Sequence, residues 1–207
     1  MKPTTLKQTL LTTIFYAITA FAPANYAEDP LRIALGGEPD TMDPHRYNLR
    51  LEETLLNELF LGLTTFNAQG EIVPGAATHW ETSEDGLTWT FQLRKNMKWS
   101  DGTPLTAEDF VYSYRRLQDP TTAASLAYFM HMLENAVEIN SGDKPVTELG
   151  VRAIDDLTLE LRLAQPYPFL LERLLYPTAY PVPQHAIERH GDQWLSLIHI
   201  SEPTRHI

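Results

Sequence analysis

Hydrophobic and polar positions along the chain alternate between two periods. Leu31 to Leu35 is a short apolar run closed by Gly36-Gly37 and reads as a strand. Pro39 and Pro44 keep Glu38 to His45 extended, because each disfavours helix at the residue before it. Leu51, Leu55, Leu56 and Leu59 then recur at helical spacing, with Glu52, Glu53 and Glu58 mostly on the other side, predicting an amphipathic helix. Leu63 to Phe66 reads as a strand and Asn67 to Gly70 as a turn. From Thr78 the period becomes two. After a turn at Ser83 to Gly86, Leu87, Trp89, Phe91 and Leu93 share one face against Thr88, Thr90 and Gln92, which predicts a hairpin strand.

The stretch Trp99 to Phe110, WSDGTPLTAEDF, carries the strongest local signals. Asp101-Gly102 is a turn pair, and Pro104 stiffens its exit. Thr106 and Asp109 form a capping-box-like pair opening a helix over about 107–117, which Asp119-Pro120 stops. Ala123 to Ile139 reads as helical, in two pieces. A second hairpin joins Val151–Ile154 to Leu157–Leu163, whose leucines alternate with Thr158, Glu160 and Arg162. Pro166 and Pro168 lead into a short helix ending near Leu175. Pro177, Pro181 and Pro183 mark an extended crossing, and Gln184 to His190 is a last helix with Gly191 as its C′ residue.

Composition narrows the class. The chain has 207 residues, 43% hydrophobic and 21% charged, enough for a packed core. It has no cysteine, which excludes disulfides, thiolate metal sites and cysteine nucleophiles. Lys2 and Lys7 precede an apolar stretch, Leu10 to Ala22, and small residues follow at Ala24 and Ala27, the pattern of an export leader over 1–27. About 13 apolar residues fall short of the ~20 a membrane span needs. The expected location is therefore the periplasm, with no lipid anchor. The net charge is −11, or −13 for the remainder once the two leader lysines are subtracted, which disfavours nucleic acid as a partner.

Asp101, Glu108 and Asp109, with Trp80, Trp89 and Trp99, suggest one catalytic alternative, a secreted carbohydrate-active hydrolase. Local roles account for the acids: a turn, a first helical turn and a cap. His185 and His190 are five apart, and with His45, His79 and His131 they make no metal-ligand spacing. No phosphate-cradling loop or nucleophile elbow is present. No catalytic residue, metal or cofactor is expected.

Five stretches in order carry a resemblance: EPDTMDPH (38–45), NELFLGL (57–63), WTFQLRKNMKWSDGTPLTAEDFVYSYRR (89–116), LGVRAIDDLTLEL (149–161) and YPVPQHAIERHGDQW (180–194). Together they resemble the family 5 extracellular solute-binding proteins of peptide transporters. The resemblance implies a mixed α/β fold of the periplasmic binding-protein class, a two-lobed receptor that closes on an extended oligopeptide. It implies residues 28–60 as the first segment of the large lobe, 61–182 as the small domain, and 183–194 as the re-entry into the large lobe. It also implies a truncated chain, with 195–207 a read-through of a sequencing adaptor. Asn48, Leu49 and Arg50 lie in the segment that reaches the cleft in the family and are the expected peptide contacts. The family's aromatic contact region maps near Leu126 to Phe129, where Leu126 departs from it. The implied partners are a peptide and the permease subunits of an ABC importer, with the receptor a monomer. Murein peptides, dipeptides, nickel complexes and haem are ligands elsewhere in the family.

Overall fold

The computed structural model describes residues 36–195. The expected strand at 31–35, the expected leader, and all but Leu195 of the expected read-through lie outside that range. The organising element is a four-stranded antiparallel sheet of order β3-β4-β6-β5, built from β3 (Ala77–Thr82), β4 (Thr88–Leu93), β5 (Val151–Asp155) and β6 (Thr158–Arg162). Its register shows why the sequence alternates. Trp80 faces Phe91 and Phe91 faces Leu159, while Trp89 faces Leu161, so one face is a continuous apolar row. Thr90, Glu160 and Arg152 align on the opposite face, where Arg152 and Glu160 pair at 2.8 Å. A sheet apolar on one side must be covered there.

The cover is α2 (Ala107–Gln118), which packs on β5 and β6 and buries Phe110, Val111, Tyr114 and Leu117. It starts where the sequence predicts. The Asp109 carboxylate accepts the Thr106 backbone N–H at 2.8 Å and the Trp99 indole N–H at 3.3 Å, so one N3 side chain closes the helix end and holds the preceding loop. Gly102 has φ +88, the turn conformation expected of Asp-Gly. A small antiparallel pair, β1 (Thr64–Phe66) with β2 (Ile72–Pro74), surrounds the expected turn at 67–70. The strand at 72–74 has too few residues to show a period.

The stretch expected to be helical in two pieces is helical only in part. Between 123 and 139 the chain makes a 3₁₀ turn (Ala127–Met130) and then the short α3 (Ala136–Asn140), interrupted by Asn135 at φ 64. The cause is tertiary. Leu133 bridges Leu163, Glu134 N–H donates to the Arg162 carbonyl at 2.9 Å, and Gly150 N–H donates to the Glu134 carbonyl at 2.9 Å. Pairing with the β6 end competes with helical pairing and wins. Next come α4 (Leu170–Arg173), a 3₁₀ turn at Pro177–Ala179 within the expected extended crossing, and α5 (Gln184–His190). Gly191, at φ 54 and ψ −135, ends α5 as its C-cap rather than at the expected C′ position, with its N–H on the Ile187 carbonyl.

The helix expected near Leu51 is α1 (Arg50–Leu59), but its buried face differs from the expected leucine stripe. Leu56 is fully buried, Leu59 is 58% exposed, and Glu52, expected on the polar side, is 1% exposed. Positions 52 and 56 are one turn apart and share the inward face. Leu56 packs with Met42 and Tyr47 in a second, smaller apolar cluster.

Candidate functional site

The loop leading into α1 is not extended throughout, as its prolines suggest, but turns at 44–46, where the Arg46 N–H donates to the Asp43 carbonyl at 3.0 Å, and it is held by one buried carboxylate. Glu52 Oε1 accepts the backbone N–H groups of Asp40 (2.9 Å) and Thr41 (3.0 Å). Its Oε2 accepts those of Asn48 (2.9 Å) and Leu49 (3.1 Å). Burial by itself raises a carboxyl pKa, but these four amides outweigh it and hold Glu52 below the ordinary glutamate value. Leu49 is the N-cap residue of α1 and has no side-chain acceptor to offer, so the acid three residues on does the capping alone.

A second clasp ties the same loop to α2. Arg116 reaches across to Asp43 with two bonds, Nη2 to Oδ2 at 2.6 Å and Nη1 to Oδ1 at 3.1 Å. Arg116 Nη1 also meets His45 Nδ1 at 2.8 Å. A guanidinium only donates, so Nδ1 accepts and His45 is neutral with its proton on Nε2. That Nε2 is buried and has no hydrogen-bond partner among the described residues. Burial, aided by Arg116 and opposed by Asp43, pushes the His45 pKa down to about 4. For Asp43, burial pulls upward, while the Arg116 hydrogen bond and neighbouring charge leave it below the usual carboxylate value. His45, with no expected role from spacing, is thus a fixed part of the loop's anchorage.

Asn48, Leu49 and Arg50 emerge from these two clasps onto the surface, and all three are exposed. Leu49 is extended, with φ −106 and ψ 146. Its N–H goes inward to Glu52 and its carbonyl accepts from Glu53 N–H at 3.1 Å. In extended backbone the flanking carbonyl and the following N–H point the other way. Those groups are the Asn48 carbonyl and the Arg50 N–H, and neither pairs with another described residue. The result is one acceptor and one donor aimed outward across a single extended residue, the unit an extended peptide main chain needs from a sheet edge. The Asn48 side chain is held laterally, accepting from Ser125 Oγ and donating to the Arg46 carbonyl at 3.3 Å.

An aromatic run lies on the turn that carries Ser125. Tyr128 and Phe129 have ring centroids 4.8 Å apart, Phe129 stacks on Tyr176 at 5.0 Å and 20°, and the Arg173 guanidinium sits 5.0 Å from the Phe129 centroid. Arg173 Nε also donates to Tyr167 Oη at 3.1 Å. The family resemblance points to this region at Leu126 to Phe129, but not to Arg173 or Tyr176, which lie more than forty residues further along the chain and carry no local signal beyond a tyrosine ahead of a proline.

The three carboxylates of the catalytic alternative are engaged separately. Asp101 Oδ1 accepts from the Thr103 N–H and hydroxyl, which hold its pKa down to about 2, and its Oδ2 lies 2.7 Å from His185 Nε2. Asp109 caps α2, and Glu108 is exposed on its first turn. Among the described residues, no group of three or more His, Asp or Glu side chains is placed to hold a metal ion.

Comparison with known proteins identifies the family of the chain. Residues 71–199 match the family model described as bacterial extracellular solute-binding proteins, family 5 middle. The periplasmic oligopeptide-binding protein OppA of Salmonella typhimurium is 39% identical over 94% of this chain, and the match covers 38% of that protein. The solved structure of Haemophilus influenzae OppA in complex with RPPGFSPFR is 42% identical, with a TM-score of 0.75 over 77% of this chain and 31% of that one. The Escherichia coli murein tripeptide-binding protein MppA is 41% identical, with a TM-score of 0.73 over 76% of this chain and 31% of its own. The chain thus spans about a third of the length of relatives it matches, and it belongs to the family 5 bacterial extracellular solute-binding proteins.

Proposed function

We propose that this chain forms one wall of the binding cleft of a periplasmic receptor that captures oligopeptides for an ABC importer. The observation that carries the reading is the outward-facing pair at 48–50, an Asn48 carbonyl and an Arg50 N–H flanking extended Leu49. A receptor for many peptides must draw its affinity from what all peptides share, and that is the main chain. The wall supplies one strand-like bridge, and lobe closure brings the rest of the contacts to the ligand. Residues 28–60 and 183–194 act as large-lobe segments around a small domain at 61–182, and residues 1–27 direct export. The receptor works as a monomer, docks on permease subunits and does no chemistry.

The test is a hybrid. Residues 36–194 replace the matched stretch of Haemophilus influenzae OppA, and calorimetry measures binding of RPPGFSPFR, the peptide solved with that protein. The expected result is retained binding without turnover. A hybrid that melts cooperatively yet binds no peptide contradicts the reading, as does hydrolysis of the ligand.

A further inference from the structure

We infer that Glu52 is the positioning residue for main-chain recognition, a role that rests on the peptide-binding reading above. Glu52 lies in the buried turn of α1 and touches no ligand, since it is 1% exposed. Its Oε2 takes the N–H groups of both Asn48 and Leu49, two of the three residues of the outward edge. Those bonds fix which side of the backbone faces inward. With the Leu49 N–H and carbonyl both committed inward, the Asn48 carbonyl and the Arg50 N–H face out. A half-turn of the backbone at Leu49 would exchange the two sides and bury the donor and acceptor a peptide needs. Oε1 meanwhile fastens Asp40 and Thr41, so the edge cannot drift away from α1 as a unit.

The carboxylate is suited to this work by its acceptor count. An ionised carboxylate has about four lone-pair sites, and here four backbone donors fill them. A glutamine has one carbonyl oxygen and an NH₂ group that can only donate, so it leaves two of the four amides facing a donor. An aspartate keeps the charge but is one methylene short, and cannot span both pairs. Either change frees the 48–49 backbone to rotate while the separate sheet core around Phe91, Tyr114 and Leu159 remains.

The experiment uses the hybrid receptor described above and RPPGFSPFR, with a set of analogues in which each N–H-bearing peptide bond in turn is replaced by an ester. Binding is followed by calorimetry. An ester keeps the shape but removes the N–H donor. In the unmodified hybrid one ester position should weaken binding about fivefold, the size of one peptide hydrogen bond. In E52Q and in E52D that ratio should fall to about one. If the unmodified hybrid binds no peptide, or is indifferent to every ester, the peptide-binding edge is wrong and this role falls with it. If it is ester-sensitive and both variants keep the same ratio, the edge stands and the positioning role is overturned. A Leu49 amide proton that exchanges at the rate of an exposed amide in the unmodified hybrid overturns it independently of either variant.

Discussion

Three titratable side chains, Asp43, His45 and Glu52, lie almost wholly inside the protein within ten residues of one another, and together they make the 38–49 loop sensitive to acid. The direction follows from each group. His45 has a folded pKa of about 4, below the 6.5 of a free histidine. As pH falls from about 6.5 toward 4, the unfolded chain takes up a proton that the folded chain refuses, and stability drops by about 3 kcal/mol. Asp43 and Glu52 are held below their ordinary values, so their contributions are present above the ordinary carboxylate range and are lost below it. Urea unfolding across pH 7 to 4 should show this decline, and His45→Gln should flatten its upper part. Arg116→Met should be worse at neutral pH. It strands the Asp43 charge in the interior and should remove about 3–5 kcal/mol, less when combined with Asp43→Asn, as a double-mutant cycle by denaturant unfolding would read.

Elements are where the sequence was most and least legible. The period-two strands β4 and β6, the Asp-Gly turn and the Thr106–Asp109 cap were readable because each depends on residues within a few positions. Asp109→Ala should therefore destabilise α2 by about 1 kcal/mol in thermal unfolding, the worth of a helix cap. Glu52 was not readable. Its helical position resembles those of Glu53 and Glu58, and two of the four amides that draw it inward come from Asp40 and Thr41, eleven or more residues away. The helical pieces within 123–139 are shorter than their pattern suggests for the same physical reason, since their competitor is the β6 end. Gly150 records that competition. A Cβ there would meet the Arg162 carbonyl and stand 2.8 Å from Glu134 Cβ, so Gly150→Ala should cost about 1–3 kcal/mol by chemical denaturation.

At the scale of the molecule, fold and site meet in the way the outward edge is mounted. The sheet and α2 form the rigid body, Arg116 pins the loop to α2, and Glu52 sets the loop's exit. The family resemblance implies Asn48, Leu49 and Arg50 as contacts, while the structure shows Leu49 committed inward between its outward neighbours. No described helix is long and apolar enough to cross a membrane. Salmonella typhimurium OppA is periplasmic by name, Haemophilus influenzae OppA is solved with the peptide RPPGFSPFR, and MppA is named for a murein tripeptide. The central claim is that a peptide's main chain pairs with 48–50. A crystal structure of the hybrid receptor with RPPGFSPFR tests it most directly. The account predicts a peptide N–H on the Asn48 carbonyl and a peptide carbonyl on the Arg50 N–H, each within about 3.2 Å. A bound peptide whose main chain runs elsewhere, leaving both groups unpaired, would contradict it.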